Sequence, residues 1–312
     1  MQNKNALRSD AFAGETVTSR RPQSARLPSR LLSCIRWDEV LVLQGAPLIG
    51  ASFSLGAWTG DNILTLAAFA VGSCCLVAHV YALNDWSGIH GDLRDPNRAA
   101  RTFPTKGVSR SELGFIAAAL LVLALLLFAL VGKATVVLAL AIAGLSALYS
   151  APLFHMKGLP LFNSLLHLVG GILHFLLGYA AFAAIDVRGV AIGCFFALVF
   201  TAGHLTHEAR DCESDLLSGV RTNAVAFGRT RGFFAGLALF TAAYALLVAL
   251  AAYGAVPRVL ILAAVLYPVH LFASLRALRA GLDFESLSQL QRCYRALYAV
   301  IGVMMVVTVQ LA

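Results

Sequence analysis

The chain has 312 residues, 59% of them hydrophobic and 13% charged, with 24 Lys and Arg against 16 Asp and Glu and a formal net charge of +8. Soluble proteins carry about 45–50% apolar and about 25% charged residues. This composition therefore excludes a soluble globular fold, a disordered chain and a secreted disulfide scaffold, and leaves a polytopic membrane protein.

Residues 1–36 are polar and basic with no apolar core of their own, which predicts a disordered basic cytoplasmic tail ahead of one transmembrane domain over 37–312. A helix needs about 20 mostly apolar residues to cross the hydrocarbon. Nine stretches qualify: 39–58, 62–83, 113–132, 134–153, 163–185, 189–207, 233–253, 258–275 and 294–312. They are too long and too uniformly apolar for barrel strands, so the expected fold is all-α, with about nine transmembrane helices. With the N-terminus in the cytoplasm, every Lys and Arg except Lys133, Arg188 and Arg258 falls on the cytoplasmic side, as the positive-inside rule requires. The positive charge thus reads as topology, not as a nucleic-acid footprint, and the expected location is a bacterial-type inner membrane. The six cysteines show no metal or redox spacing and are expected to be free thiols.

The acids are concentrated. Seven lie in two short segments at the cytoplasmic ends of the second and sixth predicted helices: Asp85, Asp92 and Asp95, then Glu208, Asp211, Glu213 and Asp215. Ionisable groups so close to hydrocarbon are costly and usually functional. At about 100° per residue, Glu208, Asp211 and Asp215 share one narrow face, and Asn84 and Asp92 share another. Hard oxygen donors of this kind suit Mg²⁺, which binds through a few carboxylates together with substrate phosphates. A bridging cation also reverses the repulsion between carboxylate and phosphate. Arg94, Arg98, Arg101, Lys106, Lys157 and Arg221 lie close by in sequence, so the combination points to a metal-bound diphosphate at a membrane surface.

These segments resemble the UbiA-type intramembrane prenyltransferase superfamily. Asn84-Asp85-Trp86-Ser87-Gly88-Ile89-His90-Gly91-Asp92 is similar to its first acidic motif, and Glu208-Ala209-Arg210-Asp211-Cys212-Glu213-Ser214-Asp215 to its second. Gly219-Val220-Arg221-Thr222 with Gly228, and Tyr149-Ser150-Ala151-Pro152 with Lys157, match further family features in order. The resemblance spans about residues 36–312. It implies a pocket open to the cytoplasmic side and laterally to lipid, where two Mg²⁺ ions hold a prenyl diphosphate. Asn84, Asp85 and Asp92 would serve one ion, and Glu208, Asp211 and Asp215 the other. Arg98, Lys157 and Arg221 would neutralise the diphosphate, with Asp85, Lys157, Arg221 and Tyr149 as the catalytic set. An aromatic ring such as Tyr149 or Tyr179 could face the allylic cation. The acceptor would be an aromatic compound, a quinone precursor, a phosphosugar or a lipid.

One departure stands out: Gly88 occupies the position of the motif's middle Asp, so this site has one carboxylate fewer, with His90, Asp95 or water as candidate replacements. A second unusual feature is a polar set in the fifth and sixth predicted helices, namely Asn163, His167, His174, His204 and His207, from which one histidine could contact the acceptor or act as a base. Two rival readings share the composition. A membrane terpene cyclase would release diphosphate without an acceptor. A transporter or lipid-binding protein would carry charges through its mid-membrane helices.

Overall fold

The computed structural model describes residues 27–95, 99–154 and 156–311, and all regular structure among them is helical. Three short helices come first: α1 (Leu27–Leu32), α2 (Trp37–Leu43) and α3 (Gly45–Ser54). Then follow α4 (Gly60–Asp92), α5 (Arg110–Val131), α6 (Lys133–Ser150), α7 (Phe162–Tyr179) and α8 (Val187–Leu217). The short α9 (Asn223–Phe227) leads to α10 (Arg229–Ala252), α11 (Tyr267–Arg279) and α12 (Phe284–Gln310). Among the described residues, eight stretches are long and apolar enough to cross a membrane: α4 to α8, α10, α12, and Arg258–Arg279. The last begins as a 3₁₀ helix, Arg258–Leu266, and becomes α-helical at Tyr267, with proline in the first turn of α11.

The first predicted span differs from expectation, because it is divided between α2 and α3 at Gln44. Pro47 explains the break: it has no N–H to give to Leu43, and its ring crowds that carbonyl. The second and sixth predicted spans are longer than expected. α4 has 33 residues and α8 has 31, about 50 Å and 46 Å at 1.5 Å per residue, against about 30 Å of hydrocarbon. Apart from Asp95, both acidic segments therefore lie on helical extensions rather than in loops.

Residues Leu27–Leu32, within the stretch expected to be a tail, form α1. Leu31 and Cys34 pack with Ala82, Ile89, Phe103 and Val108, and Lys106 Nζ donates to the Ser33 carbonyl at 2.5 Å. Residues 1–26 lie outside the described residues.

Within a bilayer, small residues let helix backbones approach closely, and α3 crosses α7 in this way. A Cβ at Gly178 would lie 1.7 Å from the Pro47 oxygen, and one at Gly50 would lie 2.1 Å from the Phe175 oxygen. Only glycine fits either position, so the crossing fixes the broken first segment against the bundle. Large side chains such as Phe69, Phe128, Phe175 and Phe195 fill the core. Phe115, Leu126, Leu130 and Val137 point outward from α5 and α6.

Candidate active site

The extensions of α4 and α8 border a polar chamber of ≈ 260 Å³. α4 contributes Asn84, and α8 contributes Glu208, Asp211 and Asp215. Tyr149 and Ser150 come from the end of α6, and Lys157 from the segment that follows it. Ser150 Oγ donates to Asn84 Oδ1 at 3.5 Å. Of the residues expected from the sequence, Asn84, Tyr149, Lys157, Glu208, Asp211 and Asp215 thus meet at one chamber.

The others are placed differently. Asp92, the last residue of α4, is half-buried and does not line the chamber. Among the described residues, and leaving aside the helix's own backbone, its Oδ2 is the one atom within 4 Å of where a Cβ at Gly88 would stand, at 3.8 Å. Asp85 is also absent from the lining and is paired with Arg36, whose Nε donates to Oδ2 at 3.1 Å and whose Nη2 reaches Oδ1. Arg221 is exposed, while its neighbour Thr222 faces the chamber. Arg98 lies outside the described residues. Neither candidate replacement for the missing carboxylate lines the chamber: His90 is exposed, and the buried Asp95 accepts a 2.8 Å hydrogen bond from Ser214 Oγ. Tyr179 lies at the far end of α7 and donates to Asp186 Oδ1 at 3.2 Å, so it is a packing residue.

Glu208 sits at the centre of a polar knot. Its Oε1 accepts from Asn163 Nδ2 at 2.5 Å and lies 3.2 Å from His204 Nε2. Its Oε2 accepts from the Asn223 backbone N–H at 3.1 Å and from Asn223 Nδ2 at 2.8 Å. Asn163 Nδ2 also donates to the Lys157 carbonyl at 3.2 Å, and Asn223 Oδ1 accepts from the Leu161 N–H at 2.7 Å. Glu208 therefore organises the segments that carry Lys157 and Thr222, and both of its oxygens are taken by protein donors. Asn223 was not singled out from the sequence, although a buried amide directly after Arg221-Thr222 is a readable signal. Two cations were also missed. Arg36 and Arg210 both line the chamber, with Arg210 clamped on Asp211 through contacts of 2.7 and 3.0 Å.

Among the described residues, no three His, Cys, Asp or Glu side chains converge as a ready metal shell. The donors present at the chamber are the oxygens of Asn84 and Asp215 and those of Asp211, which Arg210 shares; Asp92 stands at the end of α4, eight residues and about 12 Å further along the helix than Asn84. A sparse, all-oxygen set fits Mg²⁺, which keeps several waters and takes one or two carboxylates plus substrate phosphates.

The polar chamber adjoins an apolar one of ≈ 660 Å³. The two share Glu39, Leu43, His167, His174, Phe200, His204 and His207 as a common wall. The apolar chamber runs between α3, α8 and α12, and reaches the flank of the bundle at the exposed residues Leu41, Val42, Val303 and Val307. At the junction, the His167 and His204 rings stack with centroids 3.6 Å apart and 9° between planes. Tyr149 meets His167 edge-on at 5.1 Å.

Comparison with known proteins matches residues 46–283 to the UbiA prenyltransferase family. A UbiA homologue from Archaeoglobus fulgidus bound to GPP and Mg²⁺ superposes with a TM-score of 0.69 at 16% identity, covering 89% of this chain and 99% of that one. A UbiA homologue from Aeropyrum pernix K1, in its apo form, gives 0.70 at 20% identity over 88% and 98%. A digeranylgeranylglyceryl phosphate synthase gives 0.68 at 18% over 90% and 98%. No curated protein matches the sequence. The solved structures share the helical fold, and the family match covers most of the chain: this protein belongs to the UbiA prenyltransferase family.

Proposed function

We propose that this protein transfers a prenyl group from a prenyl diphosphate to a small-molecule or lipid acceptor within the membrane, with Mg²⁺ as cofactor. The observation that carries this reading is the meeting of Asn84, Asp211, Asp215 and Lys157 in a polar chamber that gives directly onto a larger apolar one. Bound Mg²⁺ would supply Lewis-acid neutralisation of the leaving diphosphate. Asn84 and Asp92 from α4, and Asp211 and Asp215 from α8, would hold it. Lys157, Arg36 and Arg210 offer fixed positive charge to the diphosphate oxygens, which stabilises the charge that grows as the bond breaks. The apolar chamber takes the prenyl chain and keeps water from the reacting carbon. Tyr149, at the junction, presents a ring to the allylic cation. The binding of GPP and Mg²⁺ by the Archaeoglobus fulgidus homologue supports the assignment of donor and cofactor. The charge asymmetry of the sequence supports a cytoplasmic N-terminus and a cytoplasmic polar chamber.

The test uses the purified protein in lipid nanodiscs with labelled dimethylallyl, geranyl and longer prenyl diphosphates, plus host lipid and aqueous extracts. A gain of one prenyl unit on an extract molecule with Mg²⁺, abolished by chelator, is the expected result. Diphosphate release with only a terpene product would replace transfer by cyclisation. Absence of donor binding at every chain length would refute the reading.

A further inference from the structure

The unusual feature of the junction is a histidine whose chemistry can be read from its partners. His167 Nδ1 lies 2.8 Å from the Asn163 backbone oxygen. A carbonyl only accepts, so Nδ1 carries the hydrogen, and Nε2 is the nitrogen on which a proton can come and go. No hydrogen-bond partner for Nε2 is found among the described residues, and the ring faces both chambers. Stacking on His204 and the edge of Tyr149 fix the ring plane. His204 in turn stands 3.2 Å from the Glu208 carboxylate, so a buried negative charge lies one ring away. Sharing the common wall of the two chambers with His167 are Glu39 of α2, ion-paired with Arg295 of α12, His174 of α7, and His204 and His207 of α8; Tyr149 of α6 and Lys157 face it from the polar chamber, and α3 brings none.

We propose that His167 Nε2 is the general base that takes the acceptor's proton, and that the acceptor is accordingly a hydroxyl compound, an alcohol or phenol, entering through the apolar chamber. A hydroxyl can donate to Nε2 before reaction, which aims an oxygen lone pair toward the donor's carbon. In the transfer, the bond from C1 of the prenyl group to the diphosphate oxygen breaks, and its electron pair leaves on the diphosphate. The hydroxyl oxygen forms the new bond to C1, and its proton passes to Nε2. The resulting imidazolium then gives that proton to the departing diphosphate. This inference rests on the prenyl-transfer reading above.

The test compares wild type, His167→Gln and His167→Ala in nanodiscs with labelled geranyl diphosphate, Mg²⁺, host extracts, decanol and 4-hexylphenol. Glutamine can still donate to the Asn163 carbonyl but has no basic nitrogen. Expected results are donor binding within about twofold of wild type, and ether formation lowered by about 10²-fold or more, the usual contribution of a general base. The variant's pH profile should lose its acid limb, and imidazole in the buffer should partly restore His167→Ala. Ether formation by His167→Gln within about threefold of wild type, with the same pH profile, would overturn the role. So would a wild-type enzyme that binds donor yet makes only carbon–carbon adducts, or no adduct at all. Failure of wild type to bind geranyl diphosphate with Mg²⁺ would instead strike the underlying reading, and the base with it.

Discussion

Asp95 and Ser214 join the ends of the two acidic helices: Ser214 Oγ on α8 donates a 2.8 Å hydrogen bond to Asp95 Oδ2, three residues beyond α4. Near by, a Cβ at Gly91 would meet Ser218 Oγ at 3.5 Å. The ends of α4 and α8 are thus held together by contacts outside the polar chamber. Asp92→Asn and Asp215→Asn should therefore each lower Mg²⁺-dependent diphosphate release by about 10²-fold or more with little change in thermal unfolding. Ser214→Ala should do the reverse, costing about 1 kcal/mol of stability while leaving most activity. Full turnover in both Asn variants would remove these residues from the metal site.

Glu208 should behave differently from its neighbours on the same face. In Glu208→Gln one of the two carboxylate oxygens becomes an NH₂ group, which leaves donors from Asn163 and His204, or from Asn223, without an acceptor. Breaking a buried charged arrangement of this kind costs about 3 kcal/mol, and the loops carrying Lys157 and Thr222 lose their anchor. The expected outcome is a markedly lower unfolding temperature in detergent at any Mg²⁺ concentration. Unchanged stability together with a raised Mg²⁺ requirement would show that Glu208 is a metal ligand after all.

The contrast marks what the sequence could and could not disclose. Asn84, Asp211 and Asp215 were legible because helical spacing puts them on the inward face of extended helices, and the apolar runs located the eight long spans. Arg36 was not legible as the partner of Asp85, because the pair is 49 residues apart and forms only when α2 packs on α4. Arg210 was hidden by its acidic neighbours, and Arg221 turns outward although its spacing matches the family pattern. Pro47 was readable in principle as a helix break, but the apolar composition around it masked the signal.

At the opposite end of the bundle, Asp186 caps α8. The Gly189 backbone N–H, at 2.7 Å, is the main reason that its carboxyl is held below the ordinary range, aided by the Tyr179 hydroxyl. A group with a lowered folded pKa stabilises the fold above its unfolded value, near pH 4, and loses that contribution as pH falls through the folded value. Asp186→Asn can still cap the helix but does not titrate. Its unfolding temperature should therefore decline less steeply than wild type on acidification below about pH 4. Parallel curves would show that the cap carries no linked proton.

Gly88 offers the most direct test of the metal assignment. It stands where the family pattern has an acid, four residues before Asp92 on the same helix, so the two positions share a face. Among the described residues the space there is open: apart from the helix's own backbone, Asp92 Oδ2 is the one atom within 4 Å of where a Cβ would stand, at 3.8 Å. An aspartate can thus be introduced without displacing backbone or core. In Gly88→Asp two carboxylates would lie close enough to repel each other without a cation and to share one when it is bound. Replacing a helical glycine also favours the helix by about 0.5 kcal/mol or less, so loss of fold would not confuse the result. The expected outcome is a several-fold lower Mg²⁺ concentration for half-maximal diphosphate release, with the variant slightly less stable than wild type in chelator and more stable in Mg²⁺. An unchanged Mg²⁺ requirement would mean that the end of α4 does not face the ion, and the first metal position would have to be sought on α8 alone.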